Sequence, residues 1–151
     1  MKESEGMTID ANKVLLEEIH KEIDLIQGCI TRMANNSFLI KGWLISIVAV
    51  VITLSFGETK VFLLLPTVLL VVISFWYLDA FFLRTEKLYR DLYIWVLDNR
   101  KLGNRDFLYD LNPNRFATKE NKILKIMFSK TLLCFYGTTL LFVVVMILFF
   151  I

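Results

Sequence analysis

Two charged residues, Lys41 and Asp79, lie inside otherwise apolar runs of the sequence. A charge at the centre of a membrane-spanning helix costs about 2.5 to 3.5 kcal/mol, and it costs less near the interface. An ion pair offsets part of that cost, and we expect these two side chains to meet because the hairpin described below places both near the cytoplasmic boundary. The pair then serves either as a gate or part of an ion path, or as a static clamp whose lysine reaches the headgroups.

The other reactive side chains give no pattern for catalysis or metal binding. His20 is the single histidine, and Glu18 and Glu22, two residues away on either side, fall on different faces of a helix. Cys29 and Cys134 lie in different predicted environments, which argues against a disulfide. No nucleophile has a neighbouring base, and there is no phosphate-binding glycine loop. We therefore expect no enzyme activity, no metal and no cofactor.

Three apolar runs must position the charged pair. Residues 38–83 contain two runs of about 20 residues, the length that crosses a bilayer core, joined by the GETK turn at residues 57–60. A turn of four residues allows only an antiparallel hairpin, which sets Lys41 opposite Trp76 and Asp79 opposite Phe38. A third run, residues 131–151, closes the chain. The sequence predicts an all-α integral membrane protein with three transmembrane helices and excludes a soluble α/β enzyme.

Charge asymmetry predicts the orientation of these helices. Apart from Lys41, near the start of the first run, and Lys60 in the turn, every lysine and arginine lies before the first run or between the second and third, and none follows Lys130. By the positive-inside rule, the N-terminus is cytoplasmic and the C-terminus lies on the other side of the membrane. Trp43, Trp76 and Tyr77 fit an aromatic belt at the cytoplasmic boundary.

The segment before the first run has the periodicity of an amphipathic helix. Apolar residues recur at spacings of three and four and form a predicted assembly seam: Leu16, Ile19, Ile23, Ile26, Ile30 and Met33. Isoleucine at both seam positions favours a homo-oligomer of three or four strands. The alternative is that the stripe packs on the helix that continues the second span. Charge favours that contact, since residues 1–36 carry four basic and seven acidic groups and residues 84–130 carry eleven and six.

Two further sets of residues are candidates for contacts. The first is a small-residue face in the first span, typical of helix packing in lipid: Gly42, Ser46, Ala49 and Thr53. The second is a set of cations that could bind an anionic ligand, a nucleotide-type signal or lipid headgroups: Arg100, Lys101, Arg105 and Arg115. The alternative for these cations is that they only set the topology. The sequence gives no indication of nucleic-acid binding.

The predicted organisation has six segments. They are a cytoplasmic amphipathic helix (1–36), a first span (37–56), a second span (61–83), its cytoplasmic continuation (84–101), a cytoplasmic loop (102–117), and a basic collar with the third span (118–151). Asn35, Asn36 and Ser37 form a polar joint before the first span. Thr118 is the predicted cap of the last helix.

The segment IQGCITRMANNSFLIKGW, and FWYLDAFFLRTEKLYRDLY after the turn, resemble a family of small multi-span bacterial membrane proteins. Its members show a similar N-S-F-x-x-K-G-W run before the first span and an L-D-A-Y-Y-L-like run ending the second. The resemblance covers residues 24–95, with Phe81 and Phe82 here in place of the usual tyrosines. The matching positions are Gln27, Arg32, Met33, Asn36, Ser37, Phe38, Lys41, Gly42, Trp43, Asp79 and Arg90. The resemblance implies a toxic or pore-forming effector of bacterial defence or mobile-element loci.

Together these patterns favour an oligomeric inner-membrane effector that permeabilises or depolarises the membrane, in anti-phage defence. Three spans are too few to enclose a conduit alone, so this function requires a homo-oligomer, a trimer or larger. One alternative is a small structural or regulatory subunit that anchors a cytoplasmic partner protein. Another is a holin-like lysis protein, against which the long cytoplasmic helices argue.

Overall fold

The computed structural model describes residues 2–55, 65–119 and 121–150, with side chains for 13–54, 67–119 and 121–149. Its elements are α1 (Lys2–Ser55), α2 (Leu65–Lys101), a 3₁₀ turn (Pro113–Phe116), α3 (Ile123–Met127) and α4 (Lys130–Phe150). No strand occurs in these ranges. Parts of α1, α2 and α4 are long and apolar enough to cross a membrane. The all-helical class and the three candidate spans are therefore confirmed, whereas the predicted turn at residues 57–60 lies outside the described residues.

α1 continues without a break through Asn35, Asn36 and Ser37, so the predicted polar joint is not a helix end. Asparagine and serine favour caps because their side chains compete for backbone hydrogen bonds. Here the Ser37 hydroxyl donates to Asp79 on α2 instead, and this tertiary contact holds it inside the helix. At 1.5 Å per residue, α1 is about 80 Å long. The N-terminal half of α1 and the first candidate span therefore form one rod.

α2 is also a single helix, as predicted for the second span and its continuation to about residue 101. It is about 55 Å long at 1.5 Å per residue, well beyond the roughly 30 Å of a bilayer core. Its apolar half faces α1 and α4, where Leu44, Val72 and Val143 are fully buried in one core cluster. α2 is thus the central helix, and α1 and α4 both run antiparallel to it.

The N-terminal half of α1 packs on the second half of α2 through a separate core cluster. Ile26 of α1 is buried against Leu92 and Val96, with Ile30 packed alongside. The predicted seam therefore packs, in part, within one chain. Its other members are only half-buried (Ile19, Ile23 and Met33), and Leu16 is 54% exposed.

The buried face of α1 is rotated from that predicted seam. It carries three residues that the sequence analysis did not place in the core: Glu22, Cys29 and Ser37. Their spacing continues the register of Ile26, Ile40, Leu44 and Val48 along the same side of the helix. Partners on α2 and in the loop make the two polar positions on this side tolerable, as described below.

The last helical segment begins at Ile123, and the prediction that Thr118 opens it is wrong. Thr118 lies in an irregular stretch, and Lys122 occupies the cap position of α3 without a side-chain bond. After five residues α3 stops, and Phe128 and Ser129 separate it from α4. Ile126 is buried and fixes this short helix against α2 and α4.

Candidate functional site

A buried ionic junction joins the three long helices. It consists of Ser37 and Lys41 from α1, Asp79 from α2 and Tyr136 from α4, and we call it the Asp79 junction. Asp79 is 0% exposed. Its Oδ1 accepts from the Ser37 hydroxyl at 2.5 Å, and its Oδ2 accepts from the Tyr136 hydroxyl at 2.9 Å. Lys41 Nζ lies 2.5 Å from Oδ2. The predicted contact between Lys41 and Asp79 is present, with two hydroxyls added to it.

Lys41 is the one member of the junction that is not buried. Its side chain is 25% exposed, whereas that of Asp79 is fully buried. The ammonium group also donates to the Ser37 hydroxyl at 2.8 Å and to the Ser37 carbonyl at 3.3 Å. Ser37 is one turn before Lys41, so the helix itself sets this geometry. A lysine placed at the edge of the bundle can keep its stem in apolar surroundings and its charge against the carboxylate.

Tyr136 is held by aromatic neighbours as well as by Asp79. Its ring stacks on Trp76 with centroids 5.8 Å apart and meets Phe135 edge-on at 5.0 Å. Trp76 is fixed in turn, because its indole N–H donates to the Met127 carbonyl at 2.8 Å. Sequence reasoning missed Tyr136. The available signal was a phenol within an apolar run, since a buried tyrosine hydroxyl normally finds a partner.

The Asp79 junction can hold three helices in one relative arrangement. A carboxylate in an apolar interior is stable only when it is paired and hydrogen-bonded. Asp79 meets this requirement only while α1, α2 and α4 all keep their present positions. Displacement of any one of these helices would therefore break contacts that Asp79 makes with the other helices. Among the described residues, no group of His, Cys, Asp and Glu is arranged to hold a metal ion.

Replacing Tyr136 by phenylalanine is expected to lower the free energy of unfolding in detergent by about 2 kcal/mol. The change removes one hydrogen bond to a buried charge but keeps the stack on Trp76. Tyr77→Phe is the matched control: Tyr77 is half-exposed, and we expect less than about 0.5 kcal/mol there. Thermal or denaturant unfolding followed by tryptophan fluorescence measures both. Equal effects of the two changes would show that the Tyr136 hydroxyl contributes nothing.

A second buried ion pair, which we call the Glu22 clamp, lies between α1 and the end of α2. Arg100 donates to both carboxylate oxygens of Glu22, from Nε at 2.8 Å and from Nη2 at 2.9 Å. The two side chains are only 1% and 4% exposed. The backbone N–H of Tyr109 adds a third bond to Glu22 at 3.0 Å, and Arg100 Nη1 donates to the Asn104 carbonyl at 2.6 Å. Hydrogen bonding to Glu22 raises the pKa of Arg100, so the guanidinium stays charged.

The other predicted anion-binding residues are also accounted for within the chain, apart from Lys101. Arg105 pairs with Glu18. Arg115 pairs with Asp110 at 3.1 Å, and its guanidinium lies 3.9 Å from the centroid of the Phe107 ring. Lys101 is exposed. Three of the four cations therefore already have carboxylate partners: Arg100 and Arg105 pair with α1, and Arg115 pairs within the loop.

The predicted small-residue face of α1 is not covered by any other described part of the chain. Gly42, Ser46, Ala49 and Thr53 are all exposed. The hydroxyls of Ser46 and Thr53 donate to carbonyls of their own helix. Ala49 and Thr53 line a groove of about 470 Å³ between α1 and α4, whose other wall includes Thr138, Thr139 and Phe142. Within the described residues α1 turns its larger apolar residues towards α2, so the prediction that this face packs against a helix stays a prediction for a contact outside them.

Comparisons of the chain with the models of protein families, with characterised proteins and with solved structures found no match.

Proposed function

We propose that this chain is the protomer of a homo-oligomer, of three or more copies, that makes a bacterial inner membrane permeable to ions. In this proposal the three candidate spans cross the membrane with the N-terminus in the cytoplasm and the C-terminus outside. One chain cannot enclose a conduit, so the active form is an assembly. Displacement of the cytoplasmic helices by a signal opens it.

The observation that carries this proposal is the exposed small-residue face of α1. In lipid, small residues let helices approach closely, and such faces are where helices associate. The face of Gly42, Ser46, Ala49 and Thr53 is exposed along its whole length, and two of its residues, Ala49 and Thr53, line a groove of about 470 Å³. A helix of a second copy is the partner that we assign to it. The hydroxyls of Thr138 and Thr139 on the other wall would then line or border a pore.

The unbroken helices support control from the cytoplasm. α1 and α2 carry the Glu22 clamp at one end and the Asp79 junction within the spans. Ser37 lies 15 residues after Glu22, which is about 22 Å along the helix. Because no flexible joint lies between them in α1, a shift of the N-terminal half is transmitted to the Asp79 junction. A role in defence against phage belongs to the same proposal and rests on the resemblance to small multi-span membrane effectors.

Ala49→Leu is expected to prevent assembly and to reduce depolarisation to less than a tenth of the wild-type signal. A leucine on the small-residue face keeps a neighbouring helix at a distance, whereas leucine is otherwise favourable in lipid. Assembly is measured by crosslinking in lipid nanodiscs, and depolarisation by a voltage-sensitive dye during induced expression. Val50→Leu, on an exposed neighbouring position, is the control and should leave both readouts unchanged. A wild-type protein that is monomeric in nanodiscs would contradict the proposal.

A partner-anchoring subunit is the second candidate function. The observation that favours it lies outside the spans predicted from the sequence (37–56 and 61–83), where apolar side chains are exposed on the paired helices: Val14, Leu16 and Leu25 on α1 and Ile94 on α2. Apolar residues exposed in a polar region are typical of protein interfaces. Co-purification of one stoichiometric partner, lost on Ile94→Asp and without conductance in liposomes, would favour this function over the pore.

A further inference from the structure

A groove between α2 and α3 combines two cations with an exposed apolar surface. Its volume is about 480 Å³, and it is lined by Tyr77, Arg84, Lys122, Ile123 and Leu124. None of these residues belongs to the Asp79 junction, the Glu22 clamp or the small-residue face. The groove is therefore a separate feature of the molecule.

The cations of this groove are not neutralised by the described part of the chain. Arg84 is positioned by a bond from its Nε to the Asn121 carbonyl at 2.7 Å, and its terminal guanidinium nitrogens form no salt bridge with the described residues. Lys122 is exposed. No carboxylate of the described residues forms a salt bridge with either side chain. Two cations that line one groove, with no acidic partner among the described residues, favour an anionic ligand.

The apolar part of the groove indicates where that ligand sits. Leu124 is 67% exposed, and Phe128, one turn later, is 61% exposed. Burial of Ile126 holds α3 in this orientation, so the exposure of Leu124 is built into the fold. A soluble anion would leave these side chains in water. A phospholipid covers them with its acyl chains while its phosphate meets the cations, the arrangement found where proteins bind anionic lipid at a membrane interface.

We propose that this groove is a binding site for an anionic phospholipid. The phosphate is held by the Arg84 guanidinium and the Lys122 ammonium, the glycerol region lies beside the half-exposed Tyr77, and an acyl chain covers Leu124. The proposal rests on membrane insertion, one part of the proposed function, but not on assembly or conductance. Because α3 leads into α4, a lipid bound between α2 and α3 would also fix α4 against α2.

The test measures lipid retained by the purified full-length protein. Nanodiscs contain phosphatidylglycerol and phosphatidylcholine in equal amounts, and native mass spectrometry counts the lipids that remain bound. The wild type is expected to retain one phosphatidylglycerol in preference to phosphatidylcholine. Lys122→Gln and Arg84→Gln should each lower that preference about fivefold. Arg84→Lys, which keeps the charge, should retain most of it, and this separates the cation from the bond to Asn121.

Lys119→Gln is the matched control, because Lys119 is an exposed cation three residues before Lys122 and outside the groove. An equal loss on Lys119→Gln would overturn the proposal, since it would reveal only attraction by net charge. Unchanged retention in Lys122→Gln, or full displacement of the lipid by soluble glycerol phosphate, would also overturn it. Conductance is recorded separately in liposomes, so a failed pore with an intact lipid preference refutes the proposed function alone.

Discussion

Asp79→Leu is expected to lower the free energy of unfolding by about 3 kcal/mol. The double change, Lys41→Met with Asp79→Leu, is expected to lower it by less. The single change leaves Lys41 as an unpaired cation at an apolar boundary, and breaking a buried pair costs about 3 to 5 kcal/mol. The lower end applies because the Lys41 side chain is a quarter exposed and can turn outward. Removing both charges removes that penalty.

The hydroxyls of the Asp79 junction limit the cost of the double change. Tyr136 already lies 3.3 Å from the Phe75 carbonyl, and a serine in a helix can donate to a carbonyl of its own preceding turn. Both groups therefore have an alternative acceptor when the carboxylate is gone. We expect the double variant to lose no more than about half of what Asp79→Leu loses.

A double-mutant cycle in one detergent, with denaturant unfolding of all four proteins, measures this coupling. Lys41→Met alone should also be costly, because it leaves Asp79 as a buried carboxylate with hydroxyl donors only. Additive effects of the two single changes would show that the ion pair contributes no coupling energy. Ion leak recorded on the same variants distinguishes a gate from a static clamp: a clamp loses stability without leak.

The pair at the centre of this cycle could be predicted because local constraints fix it. In the sequence, two apolar runs separated by a predicted turn give the register expected of a hairpin, so the positions of Lys41 and Asp79 follow from counting residues. Tyr136 could not be placed in this way. The stretch between α2 and α4 is long, and α3 interrupts the last helical segment, so the register of α4 depends on packing that no local pattern encodes.

The region outside the spans shows a different limit. An amphipathic stripe predicts that α1 is a helix, but it does not fix how the helix is rotated about its own axis. The face that is buried in the structure includes Glu22 and Cys29, which the predicted seam did not. Burial of a glutamate contradicts residue preference unless its partner is known. That partner, Arg100, is 78 positions away in sequence. From the sequence alone, Arg100 is therefore indistinguishable from a cation available to ligands.

Glu22→Ala is expected to lower the free energy of unfolding by about 3 to 5 kcal/mol, because it leaves Arg100 buried without its carboxylate. The loss also removes the acceptor for the Tyr109 backbone N–H, so the loop should separate from α1. Hydrogen exchange of residues 104–110 measures that separation directly, and we expect protection there to fall while the membrane spans keep theirs.

Glu18→Ala provides the matched control for the Glu22 clamp. Both glutamates lie on α1, one turn apart, and both pair with an arginine from the same region of the chain, but the Glu18 and Arg105 side chains are 33% and 56% exposed. An exposed pair contributes about 0 to 1 kcal/mol and weakens with salt, whereas a buried pair is screened much less. Raising the salt concentration to about 1 M should therefore abolish the effect of Glu18→Ala and leave that of Glu22→Ala. Equal and equally salt-sensitive effects would mean that the Glu22 clamp is open to water, and that only the apolar cluster around Ile26 holds the N-terminal half of α1 on α2.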